Sequence, residues 1–270
     1  MTLFRTATLD ELRLVLDWAA AEGWNPGLDD PEAFFAADPD GFFVAVEDQT
    51  PVAAISVVNH TDRFAFLGLY IVLPSHRGQG IGYGLWEHAI AYAGARTIGL
   101  DGVPDQQANY AASGFVRAGA TTRFEGVVPA ALSAEVRASG HSDIPDLIAR
   151  EADASGVFKG AYLSTWFTDS AQRKTLVAPD GFLTVRACRA GAKVGPLVAD
   201  DAAAAERLLR HAATLFGERL IVDVPAASTQ LSALCGALQM IPGFETARMY
   251  RGAAPCAPEA VFAVATLDLG

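Results

Sequence analysis

Apolar positions in the first half of the chain alternate between helical and strand spacing. Residues 3–7 read as a short strand. In "TLDELRLVLDWAAAEG" Leu12, Val15, Leu16 and Ala19 share one helical face, Thr8 is placed to cap it, and Glu11 follows three residues on. The pattern predicts a helix ended by Gly23. "DDPEAFFAADP" predicts a second, shorter helix, with Pro31 in its tolerated first turn. "GFFVAVED" and "TPVAAISVVNH" predict two strands joined by a tight turn at Asp48-Gln49. "RFAFLGLYIV", nearly all apolar, predicts a strand buried on both faces and stopped by Pro74. Ile81, Leu85, Ala89 and Tyr92 mark the next helix. "TIGLDGV" follows as a strand, "DQQANYAAS" as a short helix ended by Gly114, and "FVRAGATTRFEG" as a closing strand. The order is β-α-α-β-β-β-α-β-α-β over about 125 residues.

The second half repeats parts of the first. "TIGLDGVPDQQ" resembles "LIVDVPAASTQ", and "GFVRAGATTRFEG" resembles "GFETARMYRG". Asp101 and Asp223 stand 122 positions apart, Gly114 and Gly243 129, Gly126 and Gly252 126. A near-constant offset implies a duplicated unit. The halves expected are residues 1–126 and 137–270, with the boundary in the alanine-rich stretch near 127–141, and "AVFAVATLDLG" reads as an extra strand at the end.

Composition narrows the function. The chain has 270 residues, half of them hydrophobic, enough for one large domain or two small ones. A formal charge of -11 argues against nucleic acid or an anionic membrane as partner. Cys188, Cys235 and Cys256 are odd in number and far apart, which fits a reducing cytosol and predicts no disulfide framework or zinc site. No stretch has signal-peptide character or membrane-spanning length. A cytoplasmic protein is expected.

The chemistry concentrates in "SHRGQGIGYGLW" (75–86), where a strand gives way to a helix. Each glycine inside a helix costs about 1 kcal/mol relative to alanine, so Gly80, Gly82 and Gly84 together need an offset. Close packing against a strand is one. An anion cradle is the other: unpaired amides at a helix start face outward, and absent side chains let phosphate approach. The triphosphate loop ending in Gly-Lys-Ser/Thr is missing. The dinucleotide fingerprint is broken, because Tyr83 stands where the third glycine would fall. "RGQGIG" instead reads Arg77-x-x-Gly80-x-Gly82, and "NYAASGF" (109–115) places Tyr110 just before Gly114 and Phe115.

Loop, element order and tyrosine together resemble the GNAT-type N-acetyltransferases. The resemblance covers residues 1–126 and implies an α/β (α+β) fold of mixed sheets flanked by helices, here two in tandem. It implies acetyl-CoA as cosubstrate, lying between two splayed strands, "LYIVL" and "TIGLDGV". Main-chain groups of Tyr70, Ile71 and Val72 would hold the pantetheine arm and acetyl carbonyl. Those of Arg77, Gly78, Gln79, Gly80, Ile81 and Gly82 would hold the pyrophosphate, with the Arg77 side chain as an added donor. Tyr110 matches the family's general acid. The base is not evident, since "FAFLGLYIV" carries no carboxylate. Asp101, on the second splayed strand, is the tentative base or water-chain member; Glu47 and His60 are weaker alternatives. Gln106 and Gln107 stand where many relatives carry asparagine.

The counterpart loop in the second half, "DDAAAAERLLRHAA", has no glycine and opens with two aspartates, so that half resembles a degenerate GNAT domain that does not bind CoA. It is expected to cover the acceptor cleft. Phe158, Tyr162, Trp166 and Phe167 either line that cleft or form core. The activity implied is acetyl transfer to a small-molecule primary amine, without a metal. A CoA-binding sensor without turnover and an enzyme for longer acyl chains are the alternatives.

Overall fold

A computed structural model describes residues 2–258 and 260–270. The first half runs β1 (Leu3–Thr6), α1 (Leu9–Ala21), α2 (Asp30–Ala37), β2 (Phe42–Glu47), β3 (Thr50–Asn59), β4 (Phe64–Val72), α3 (Ile81–Ile90), β5 (Thr97–Gly102), α4 (Gln107–Ala112) and β6 (Val116–Val127). The second repeats that order: β7 (Arg137–Ala138), α5 (Ile144–Ser155), α6 (Gly160–Trp166), β8 (Arg173–Ala178), β9 (Gly181–Ala187), β10 (Ala192–Ala199), α7 (Ala202–Phe216), β11 (Arg219–Pro225), α8 (Thr229–Ala237) and β12 (Ile241–Arg251). A short β13 (Val261–Ala263) follows. The local signal read in the sequence is realised at α1, where Thr8 and Glu11 form the reciprocal cap; Gly156 ends α5 in a left-handed conformation. Among the described residues no helix is long and apolar enough to cross a membrane.

The strands form one continuous sheet in the order β1-β2-β3-β4-β5-β12-β6-β11-β10-β9-β8-β7. The halves have therefore exchanged their last strands. β12 lies antiparallel to β5, where the first half's own β6 would close the sheet, and β6 lies antiparallel to β11. β6 and β12 also pair with each other and weld the halves together. The connection near 127–141 thus separates two repeats in sequence but not two sheets, and neither 1–126 nor 137–270 contains all the strands of one.

Three cores result. α3 and α4 cover one face of the first half, and α7 and α8 cover one face of the second. Between the halves, α1, α2, α5 and α6 share a core with the final residues of the chain. Tyr162, Trp166 and Phe167 are fully buried there, Trp166 stacked on Phe34, so they are core; Phe158 is exposed. A buried Phe or Trp of this kind contributes about 2–3 kcal/mol by burial alone, so the shared core binds the halves strongly.

Candidate active site

A bulge sets up the site. Phe64–Leu67 of β4 lie parallel to Thr97–Leu100 of β5, and pairing stops there. Next, Ser56 of β3 faces Gly68 but Ala54 faces Ile71, so β4 carries one extra residue, and Leu69 takes φ of 48°. A bulge bends its strand and interrupts the ladder. It also exchanges faces: Ala65 and Leu67 pack under α3, whereas Leu69 and Ile71 enter the core shared between the halves. Strands β4 and β5 part at this point, with Tyr70, Ile71 and Val72 on the departing arm.

The glycine turn lies beyond that arm, and its glycines divide by role. A Cβ on Gly82 would come within 2.8 Å of the Tyr70 hydroxyl, and one on Gly84 within 2.7 Å of the Phe4 ring; these two serve packing. Gly78 and Gly80 take φ of +75° and +80°, and a Cβ on either would meet nothing within 4 Å. Packing does not require glycine there, and the backbone stands open. The first intrahelical bond of α3 runs from the Gly84 N–H to the Gly80 carbonyl at 3.0 Å. The amides of Gln79, Gly80, Ile81 and Gly82 precede it and lie at the positive end of the helix. The Arg77 side chain departs from expectation. Its guanidinium turns back to the Val72 carbonyl at 2.8 Å and Glu22 at 2.7 Å, so the side chain braces the loop, and the Arg77 amide donates to the Pro74 carbonyl at 3.4 Å. Gln79 likewise donates to the Ser75 carbonyl.

Tyr110, on α4, is buried, stacked on Trp86 at 5.7 Å and edge-on to Phe115. It lines both a small cavity of about 70 Å³ where β4 and β5 part and a groove of about 380 Å³ beside Tyr83, Trp86 and Asn109. Burial, with Tyr70 beside it, pushes its phenol well above the ordinary range, so the hydroxyl stays protonated at neutral pH. Gln106 lines both spaces, and Gln107 donates to the Gly102 carbonyl. A larger cavity of about 440 Å³ lies beyond Arg248, but neither Tyr110 nor the glycine turn borders it.

Asp101 lines the cavity but is already paired. Its fully buried carboxylate is held by both arms of Arg248 from β12, at 2.9 and 2.7 Å. The same arrangement recurs across the repeat, where Arg123 of β6 grips Asp223 of β11 at 2.7 and 2.9 Å. The matched aspartates seen in sequence are therefore anchors for the exchanged strands. The weaker alternatives fare no better. His60 donates from Nε2 to the Leu269 carbonyl at 2.8 Å, and burial beside Lys159 lowers it to about 3. Glu47 accepts from the Thr2 hydroxyl near the sheet edge.

One carboxylate escaped the sequence reading. Asp268 lines the cavity with Gly68, Leu69, Tyr70, Asp101 and Tyr110. It lies 158 residues beyond Tyr110, and no spacing or motif points to it. Burial raises its carboxyl to about 6, against the pull of Lys193, Arg123 and Arg186 and with the push of Asp30. Around it, Arg186 pairs with Asp30, Arg123 with Asp223, and the Trp24 carbonyl accepts from both Arg123 and Lys193.

Comparison with known proteins agrees with this geometry. Residues 9–119 match the acetyltransferase (GNAT) family and residues 148–263 an acetyltransferase (GNAT) domain. The chain is 34% identical over 277 residues to a holothin acyltransferase of a Pseudoalteromonas species, covering 98% of this chain and 94% of that one. The chain belongs to the GNAT acetyltransferase family. It is an acyltransferase carrying two GNAT units in tandem. Its fold is shared with an acetyltransferase described as putative from Pyrococcus horikoshii (TM-score 0.86, 21% identity, 100% of this chain and 96% of that chain). It is shared also with a tandem GNAT protein from the clavulanic acid biosynthesis pathway (TM-score 0.61, 17% identity, 94% and 99%).

The second GNAT unit has the same bulge but not the same opening. Pairing of β10 with β11 stops at Val194–Val222, and register shifts between Val194 and Leu197. β13 then lies along Leu197–Ala199, and the Val264 N–H bonds the Asp223 carbonyl at 3.1 Å. The gap is thereby filled from within the chain. The start of α7 is closed too, since the Asp201 side chain accepts from the Ala204 amide at 2.8 Å.

Proposed function

We propose that this GNAT protein transfers acetyl from acetyl-CoA to the amine of a small molecule, by direct attack in a ternary complex at the first unit. The observation that carries the reading is the conjunction at α3: open backbone at Gly78 and Gly80, next to a parting of β4 and β5 that holds Tyr110. The site fits the cosubstrate. The turn supplies donors where a Cβ would otherwise project, and the groove and the small cavity share Tyr70, Gln106 and Tyr110. Amides of the bulged segment would stabilise charge developing on the acetyl oxygen. Tyr110, held protonated, would donate to the departing thiolate. Holding amine and thioester together makes the encounter local, so no covalent enzyme intermediate is needed. The second unit would act by covering the shared face and not by binding CoA.

The holothin acyltransferase supplies the first acceptor to try. The protein is incubated with acetyl-CoA and either holothin or one of a panel of primary amines, and thiol release is followed. Amine-dependent release supports the reading. Tight CoA binding by calorimetry with no release from any amine favours a sensor. A faster rate with a longer acyl-CoA would reassign the donor.

A further inference from the structure

The last eleven residues trace a path that concerns both GNAT units. After filling the second unit's gap as β13, the chain passes over the β10 bulge, where a Cβ on Gly195 would come within 2.2 Å of the Val264 carbonyl. It reaches the β4 bulge, where a Cβ on Gly68 would come within 2.1 Å of the Asp268 carbonyl. The glycine at each bulge thus permits close approach of the same tail. Main-chain contacts hold it throughout: Arg186 donates to the Ala265 carbonyl, His60 to that of Leu269, and Lys159 to that of Gly270 at 2.8 Å. The Thr266 hydroxyl accepts from the Leu269 amide, closing a turn around Leu267 and Asp268. Ala265 and Leu269 are buried in the core between the units, whereas Asp268 lines the first unit's cavity.

We infer that Asp268 is the general base of the acyl transfer, delivered by the tail of the second unit to the cavity that Tyr110 lines from the first. The inference rests on the proposed function and supplies the proton acceptor it lacks. The two groups reach the cavity from opposite faces of the sheet. Tyr110 belongs to the core under α3, and the tail to the core shared by the halves. That arrangement suits a reaction in which the amine enters and the thiolate leaves on different sides of one carbon. Rivals are engaged elsewhere: Asp101 by Arg248, Asp223 by Arg123, Asp30 by Arg186.

The substrate ammonium gives one proton to the Asp268 carboxylate, which releases it to water. The freed nitrogen lone pair forms the C–N bond, the C–S pair leaves with sulfur, and sulfur takes the Tyr110 phenol proton. The second nitrogen proton restores the phenol. A carboxyl titrating near 6 is ionised at neutral pH yet basic enough to take part. The charged groups acting on it are Lys193 of β10, Arg123 of β6, Arg186 of β9 and Asp30 of α2, while Tyr110 and Asp101 line the same cavity and Arg248 holds Asp101. Burial brings Lys193 down to about 8, so its own titration falls on the alkaline side.

The test compares wild type with Asp268→Asn, Asp268→Ala and Asp268→Glu, using the most active amine of the panel above. Three readouts are taken: CoA affinity by calorimetry, kcat/KM against pH, and rescue by added formate. The expected result is undiminished CoA affinity and a loss of about 10²-fold in kcat/KM for Asp268→Asn. The rise in rate through pH 6 disappears, and formate partly restores Asp268→Ala. An Asp268→Asn rate within threefold of wild type, or a persisting rise through pH 6, overturns the assignment. Should Asp268→Asn unfold, a folded Asp268→Glu with the wild-type profile shifted in pH supports the assignment, and a wild-type profile flat through pH 6 refutes it. A wild type that neither binds CoA nor releases thiol with any amine refutes the proposed function itself, and with it the base.

Discussion

Replacing Gly80 by alanine separates the two uses of glycine at the start of α3. Gly80 sits at φ +80° and ψ -7°, a left-handed conformation, and a Cβ there meets no neighbour within 4 Å. The folded chain therefore suffers only backbone strain, about 1–2 kcal/mol for an L-residue in this region. For a chain of this size that lowers Tm by roughly 2–6 °C. The new methyl, however, projects into the space that a diphosphate needs. Losing one charge-assisted amide bond costs about 1.5–3 kcal/mol of binding, or roughly a 10- to 150-fold rise in the CoA Kd. Gly217 provides the control. It has φ +94° and equally open surroundings, but ends α7 in the second unit. Gly217→Ala is expected to lose at least as much stability with no change in CoA affinity. Calorimetry with CoA, paired with thermal melts of both variants, reads the two effects separately. If Gly80→Ala binds CoA as tightly as wild type, or if both variants weaken binding equally, the cradle argument fails.

Three further outcomes follow from the site. Tyr110→Phe is expected to lower kcat by about 10²-fold while CoA affinity stays within a fewfold, because it removes a proton donor from a packed ring and little else; an unchanged rate in the thiol assay would remove Tyr110 from the chemistry. Asp101→Asn leaves the Arg248 guanidinium short of its buried partner, so a loss of roughly 3 kcal/mol in denaturant melts is expected, whereas a stable, inactive variant would restore Asp101 to the chemistry. Asp268→Asn should stabilise the protein: folding raises that carboxyl from 3.8 to about 6, so its protonated form is favoured and stability falls as pH rises between those values. At pH 7 the ionised group opposes folding by up to about 3 kcal/mol, and the asparagine variant should melt higher at pH 7 but not at pH 3; equal melting temperatures at pH 7 would contradict the burial argument.

Most local structure was legible because it depends on neighbours in sequence. The capped α1, the buried β4, the glycine turn and Tyr110 before Gly114 are all short-range patterns, and the structure places them together. The duplication was legible too, but its consequence was not. β6 and β12 carry similar sequences, so either strand suits either sheet, and nothing local says that they trade places. Arg248 as the partner of Asp101 is invisible for the same reason. Asp268 was hidden by distance: it reaches the first unit because β13 fits the second unit's gap and because Gly68 admits its backbone, both tertiary facts. The Arg77 side chain shows a converse limit, since a motif fixed the residue type but not where Glu22 would draw its guanidinium.

A crystal structure of the protein soaked with CoA locates the diphosphate outright. The diphosphate is expected against the amides of residues 78–82, the pantetheine arm between β4 and β5, and the thiol beside Tyr110. A diphosphate held at the start of α7, or by side chains away from the glycine turn, would contradict that placement.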